Sequence, residues 1–74
     1  MTTPTTDTVF IEPLTARERQ VAEAVARGLT NKQIAIEFGI SAETVKRHLA
    51  STYGKLALHG RVALAIHVFR SRAA

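Results

Sequence analysis

Cysteine is absent from the 74 residues. Disulfides and thiolate metal sites are therefore excluded, and the composition suits a reducing compartment such as the cytoplasm. No apolar run approaches the roughly 20 residues that a membrane helix needs. The N-terminus also lacks the basic region and apolar stretch of a secretory signal. No membrane association is expected, and the expected location is cytoplasmic. The most informative absence is acidic, since no Asp or Glu follows Glu43. Residues 1–43 hold four Lys/Arg against six acids, whereas residues 44–74 hold six Lys/Arg unopposed, so the local net charge passes from −2 to +6. Such an excess suits a polyanion or an anionic surface, and equally a solubilising face. A chain of this length makes one small domain with a marginal core, worth roughly 5 kcal/mol or less in total.

What is present reads as helices. Residues 1–13, rich in Thr and holding both prolines, lack a helical period and are expected to form a flexible arm, with Phe10 and Ile11 free to dock back on a domain of residues 14–74. Thr15 followed by Glu18 forms a capping-box pattern at the start of a first helix. Its apolar face is Val21, Ala22, Ala24 and Val25, and Gly28 ends it. Thr30 and Gln33 repeat the pattern before a short second helix with Ile34, Ala35 and Phe38 on one side. Gly39 ends that helix, and only Ile40 separates it from Ser41, the next N-cap. Two helices so tightly joined through glycine are the pattern of a helix-turn-helix.

The third helix, expected over residues 42–56, carries an apolar stripe of Val45, Leu49, Thr52 and Leu56. Thr52 places a hydroxyl in that stripe, where it is expected to bond back to the carbonyl of residue 48. Opposite lie Glu43, Arg47, Ala50 and Gly54, with Lys46 and Ser51 beside them and Thr44, His48 and Lys55 on one flank. A fourth helix, expected over residues 60–71, presents Val62, Leu64, Ala65, Ile66, Val68 and Phe69. These fill an arc of about 200°, whereas covering one small core needs a stripe of about 100° or somewhat more. Leu64 and Val68 are expected in the core and Val62, Ile66 and Phe69 at a homodimer interface.

An α-helix fits the major groove of B-DNA, and a recognition helix enters it with its N-terminal residues near the base edges. Long polar groups are needed at the front, and small ones behind let the backbone approach. Lys46 and Arg47 meet the first need, and Ala50, Ser51 and Gly54 the second. Arg47 can donate two hydrogen bonds to guanine, a contact worth roughly 1–3 kcal/mol of discrimination. Thr44, His48 and Lys55 on the flank, and Asn31 and Lys32 at the start of the second helix, suit phosphates.

These residues carry a resemblance. Leu14-Thr15 with Arg17-Glu18-Arg19, Gly28-Leu29 with Asn31-Lys32, Ile34-Ala35, Ile40-Ser41, Thr44-Val45-Lys46 with His48, Lys55-Leu56 and Arg61 together resemble the DNA-binding domain of LuxR/FixJ-type (GerE-like) bacterial transcription regulators. The resemblance runs from residue 14 to about residue 70. It implies an all-α, compact four-helix domain with the third helix in the major groove of double-stranded DNA. It also implies a dimer on an inverted-repeat site, often through the fourth helix. Positions matching Lys46, Arg47 and Ala50 face bases, those matching Asn31, Thr44 and Lys55 face phosphates, and Arg61 is a further phosphate candidate. Departures are Thr52 where a larger aliphatic is usual, Ala50 in place of a longer reader, and "ALHGR" in place of the usual Gly-Val turn.

Other readings stay open on the sequence. A promoter-reading sigma-factor region, bound within RNA polymerase, shares the Thr-Val-Lys helix, while Lys55-Leu56, Arg61 and the apolar fourth helix favour the dimeric regulator, for which RNA polymerase is also a candidate partner. A helical adaptor would bind protein through the surplus face of the fourth helix. An enzyme is not expected. His48, His59 and His67 have no i, i+4 spacing, and neither a metal nor a cofactor is implied. Both a stand-alone short regulator and the excised C-terminal part of a longer one stay open as expectations, with Met1 and the Thr-rich arm leaning slightly toward the first.

Overall fold

The computed structural model describes residues 13–73. The expected arm, including Phe10 and Ile11, lies outside them except for Pro13. Among the described residues the chain forms α1 (Ala16–Ala26), α2 (Asn31–Phe38), α3 (Ala42–Leu56) and α4 (Arg61–Ala73), and no strand. This is the all-α architecture that the periodicity predicts. The fourth helix starts at Arg61 and runs to Ala73, rather than over 60–71. Gly60, at φ 138°, has a backbone outside the helical range, so it precedes the helix instead of opening it.

Caps define the helix starts. The Glu18 amide donates to Thr15 Oγ1 at 3.1 Å and the Thr15 amide to Glu18 Oε1 at 2.9 Å, closing the first capping box. Thr30 and Gln33 close the second, at 2.8 and 3.1 Å. Ser41 Oγ accepts from the Thr44 amide at 3.0 Å and caps α3. Each interaction satisfies amides that a helix start otherwise leaves unpaired.

Helix ends follow one pattern with one exception. Gly39 ends α2 at φ 69°, a left-handed conformation that glycine adopts without a Cβ clash. The Ile40 amide then reaches back to the Ala35 carbonyl at 3.0 Å, and the chain enters α3 within three residues, 39–41. At the end of α3 the same conformation falls on Ala57, at φ 56° and ψ 45°. A non-glycine residue there is under strain of order 1–3 kcal/mol.

The core sits where α1 meets α3 and α4, and where α2 meets α3. Val21, Ile34, Val45 and Leu64, one from each helix, are wholly buried. Each such burial contributes about 1.5–3 kcal/mol. Thr52 is equally buried, and its Oγ1 donates to the His48 carbonyl at 2.8 Å, the bond expected from the sequence. On α4, Leu64 and Val68 turn inward, while Val62, Ile66 and Phe69 are 74%, 45% and 53% exposed. Half of the apolar arc of α4 thus has no cover among the described residues.

Candidate nucleic-acid interface

The inward anchoring of α3 decides which of its side chains look out. Val45, Leu49 and Thr52 are buried, so Lys46, Arg47 and Ala50 fall on the exposed side. The ion pairs among the described residues are Arg27–Glu37 and Lys55–Glu18, and neither uses Lys46 or Arg47. Both long cations at the front of the helix therefore face solvent with their charge unspent. Behind them, a Cβ added at Gly54 would meet nothing within 4 Å. The packing of this chain does not require glycine there, and the open space lies outside the molecule.

Ser51 has a second role. Its Oγ donates to Glu18 Oε2 at 2.7 Å, so the hydroxyl turns toward α1 while the residue stays exposed. A helical wheel puts Ser51 at the border between the outer face and the flank, and α1 crosses that border. Lys55, one turn further along the same flank, donates through Nζ to Glu18 Oε1 at 2.8 Å. Glu18 is 5% exposed and serves three donors, the Thr15 amide, Ser51 and Lys55. Burial pushes its carboxyl upward, but the hydrogen bonds from Lys55, Ser51 and the Thr15 amide, with the Lys55 charge, outweigh that and lower it to about 2. It is ionised across the whole neutral range.

Capping accounts for only part of what Glu18 does. A capping box uses one carboxylate oxygen, leaving the other unaccounted for in a buried position. The signal available was Lys55 itself, since its half of the chain contains no acid to pair with it.

The phosphate candidates separate into two groups. Lys32 is exposed at the start of α2, and Thr44 and His48 are half-buried on the flank of α3, with Thr44 Oγ1 lying 2.9 Å from Ser41 Oγ. Lys55 and Arg61, expected to face phosphates, are instead engaged within the chain. Arg61 donates from Nη1 to Asn31 Oδ1 at 2.7 Å and from Nη2 to the Leu29 carbonyl at 2.6 Å. The fold thus brings Arg61 against Asn31, joins Lys55 to Glu18, and leaves Lys46, Arg47 and Lys32 outward. The physical reason is proximity: the first residue of α4 lands beside the first turn of α2, and a fork of N–H donors finds two acceptors there.

His67 on α4 is half-buried, and its Nε2 has no hydrogen-bond partner among the described residues. Ile36, not singled out by the sequence reading, stands 73% exposed on α2. No described helix is long and apolar enough to cross a membrane.

Comparison with known proteins adds an independent line. The model of "Bacterial regulatory proteins, luxR family" matches residues 12–68. Relatives include the probable transcriptional regulatory protein SgaR of Hyphomicrobium methylovorum, 51% identical over 63 residues, covering 84% of this chain and 30% of that protein. The transcriptional regulatory protein UhpA of Escherichia coli K12 is 48% identical over 58 residues, covering 78% and 30%. The nitrate/nitrite response regulator protein NarP of the same strain is 44% identical over 61 residues, covering 82% and 28%. The chain spans about a third or less of the length of these relatives. Their names describe regulators, not enzymes. With two capped helices joined through Gly39, and the match running through all of α1, α2 and α3 and most of α4, the chain belongs to the luxR family of bacterial regulatory proteins.

Proposed function

We propose that the chain binds double-stranded DNA in a sequence-specific way as part of a cytoplasmic bacterial transcription regulator, with α3 in the major groove. One observation carries this reading: among the described residues, Lys46 and Arg47 stand exposed and outside the ion pairs, on a helix whose opposite side is locked by Val45, Leu49 and Thr52. In it, Lys46 and Arg47 read base edges, and Ala50 lets the backbone lie close. Asn31, Lys32, Thr44 and His48 hold phosphates and set the register. Family membership favours a regulator over a sigma-factor region.

The oligomer is a homodimer formed through Val62, Ile66 and Phe69, on an inverted-repeat site. The uncovered apolar side of α4 supports it, since such a face on a small domain marks an interaction surface. RNA polymerase is the proposed downstream partner of the bound dimer. Selection of bound sequences from random duplex DNA, with the mass of the complex measured by sedimentation, tests the whole reading. A two-fold symmetric site bound by two copies is expected. No duplex bound even at low salt, where counterion release favours binding most, overturns it.

A further inference from the structure

Arg61 is placed oddly for a residue whose task is to bind DNA. It is the first residue of α4, where a cation opposes the helix dipole. The first turn of α4 contains no acid to offset it. Its guanidinium points back into the chain and donates to Asn31 Oδ1 and to the Leu29 carbonyl, at 2.7 and 2.6 Å. Both acceptors lie at the entry to α2, on either side of the Thr30 cap.

A carboxamide has one acceptor oxygen and one NH2 group with two donors. A guanidinium has donors only, so it selects the oxygen of Asn31 and turns the NH2 group the other way. The second hydrogen bond, to a main-chain carbonyl, holds the guanidinium itself in place. The result is a fixed orientation of Asn31, a side chain otherwise free to flip. We propose that Arg61 is a positioning residue: it presents the Asn31 NH2 group as a donor to a backbone phosphate, and does not neutralise a phosphate itself. This rests on the DNA-binding reading above and refines how that site works.

The salt dependence of binding separates the roles. Each phosphate neutralised by a cation adds about 0.9 to the log–log slope of affinity against salt. A neutral amide adds affinity and no such increment. The experiment is fluorescence anisotropy with a duplex selected from random DNA, across a salt series, for the wild type, Asn31→Ala, Arg61→Ala, Arg61→Lys and the double variant Asn31→Ala/Arg61→Ala, each checked for folding by circular dichroism.

Expected is a roughly tenfold weakening by Asn31→Ala, in line with a hydrogen bond to a charged group. Arg61→Ala should weaken binding similarly with an unchanged salt slope, and the double variant should be little worse than either single one. Arg61→Lys keeps the charge but loses the fork, so it should not restore affinity. A slope lowered by about 0.9 in Arg61→Ala, with additive losses and rescue by Lys, would overturn the positioning role while leaving DNA binding intact. Failure of the wild type to bind any duplex would remove both readings. Should Arg61→Ala not fold, the Lys variant and Asn31→Ala still decide between the two roles through the rescue and the slope.

Discussion

Lys55 Nζ lies 2.8 Å from Glu18 Oε1, so the last turn of the exposed basic helix is tied to the first turn of α1. The Glu18 side chain is 6% exposed and that of Lys55 34%, so a buried carboxylate meets a cation that stays partly open to water.

Acid should loosen that tie. The Glu18 carboxyl is lowered from an ordinary 4.5 to about 2 in the folded chain. The unfolded state therefore takes up a proton first, and protonation favours unfolding. The contribution is complete above pH 4.5 and lost as the pH falls toward 2. Urea denaturation of the wild type and Glu18→Gln across that window checks it. The variant should be less stable at neutral pH and show a shallower loss below pH 4.5. Parallel curves for the two proteins would mean that Glu18 is not the responsible group.

Lys55→Ala should act on stability before it acts on binding. Removing the ammonium leaves a buried carboxylate with its hydrogen bonds reduced to Ser51 and the Thr15 amide, a loss of about 1–3 kcal/mol. The double variant Glu18→Gln/Lys55→Ala should lose less than the sum of the two single ones. Additive losses, measured by denaturant unfolding, would show that the pair contributes nothing jointly.

Arg47→Ala and Lys46→Ala should change base preference and leave the fold as it is. Both side chains are exposed and outside the ion pairs of the described residues. The expected loss is about 1–3 kcal/mol of discrimination at one position of the site for each. Repeating the selection with each variant reads this directly, and an unchanged preferred sequence would contradict base reading by that residue.

Ile66→Glu should give a folded monomer. Ile66 is 45% exposed while its neighbours Leu64 and Val68 hold α4 to the core, so the charge meets water and not the interior. Stability of the monomer should move by no more than about 0.5 kcal/mol. Sedimentation in the presence of a two-fold symmetric duplex should show weaker pairing of copies, and pairing of normal strength would exclude this face as the interface.

The two left-handed helix ends should respond in opposite directions. Ala57→Gly relieves a Cβ clash at φ 56° and should stabilise by roughly 0.5–1 kcal/mol. Gly39→Ala introduces the same clash at φ 69°, in open space, and should destabilise by about 1 kcal/mol or more. For a domain of this size 1 kcal/mol moves the thermal midpoint by about 4–8 °C, which a melting curve resolves.

Much of the architecture was legible because its signals are local. Thr15 with Glu18, Thr30 with Gln33, and Ser41 announce three helix starts through side chains that reach only three residues along the chain. The stripe of Val45, Leu49 and Thr52 announces the buried side of α3 through the helical period, and Lys46 and Arg47 follow as the outer side by the same geometry. Leu64 and Val68 separate from Val62, Ile66 and Phe69 for the same reason.

The partners of Glu18, Ser51, Lys55, Asn31 and Arg61 were not legible. Glu18 meets Ser51 and Lys55 across 33 and 37 residues, and Asn31 meets Arg61 across 30. Which flank of a helix another helix crosses depends on how all the buried side chains pack together, and no periodicity encodes it. Composition and period thus determined the helices, the core stripe and an outward basic face. The packing of α1 against α3 and α4, and of α2 against α3, decided which of the basic residues are held by the chain itself and which face outward. A charge at a given position is indifferent to its partner until a desolvated acceptor is brought within hydrogen-bonding distance.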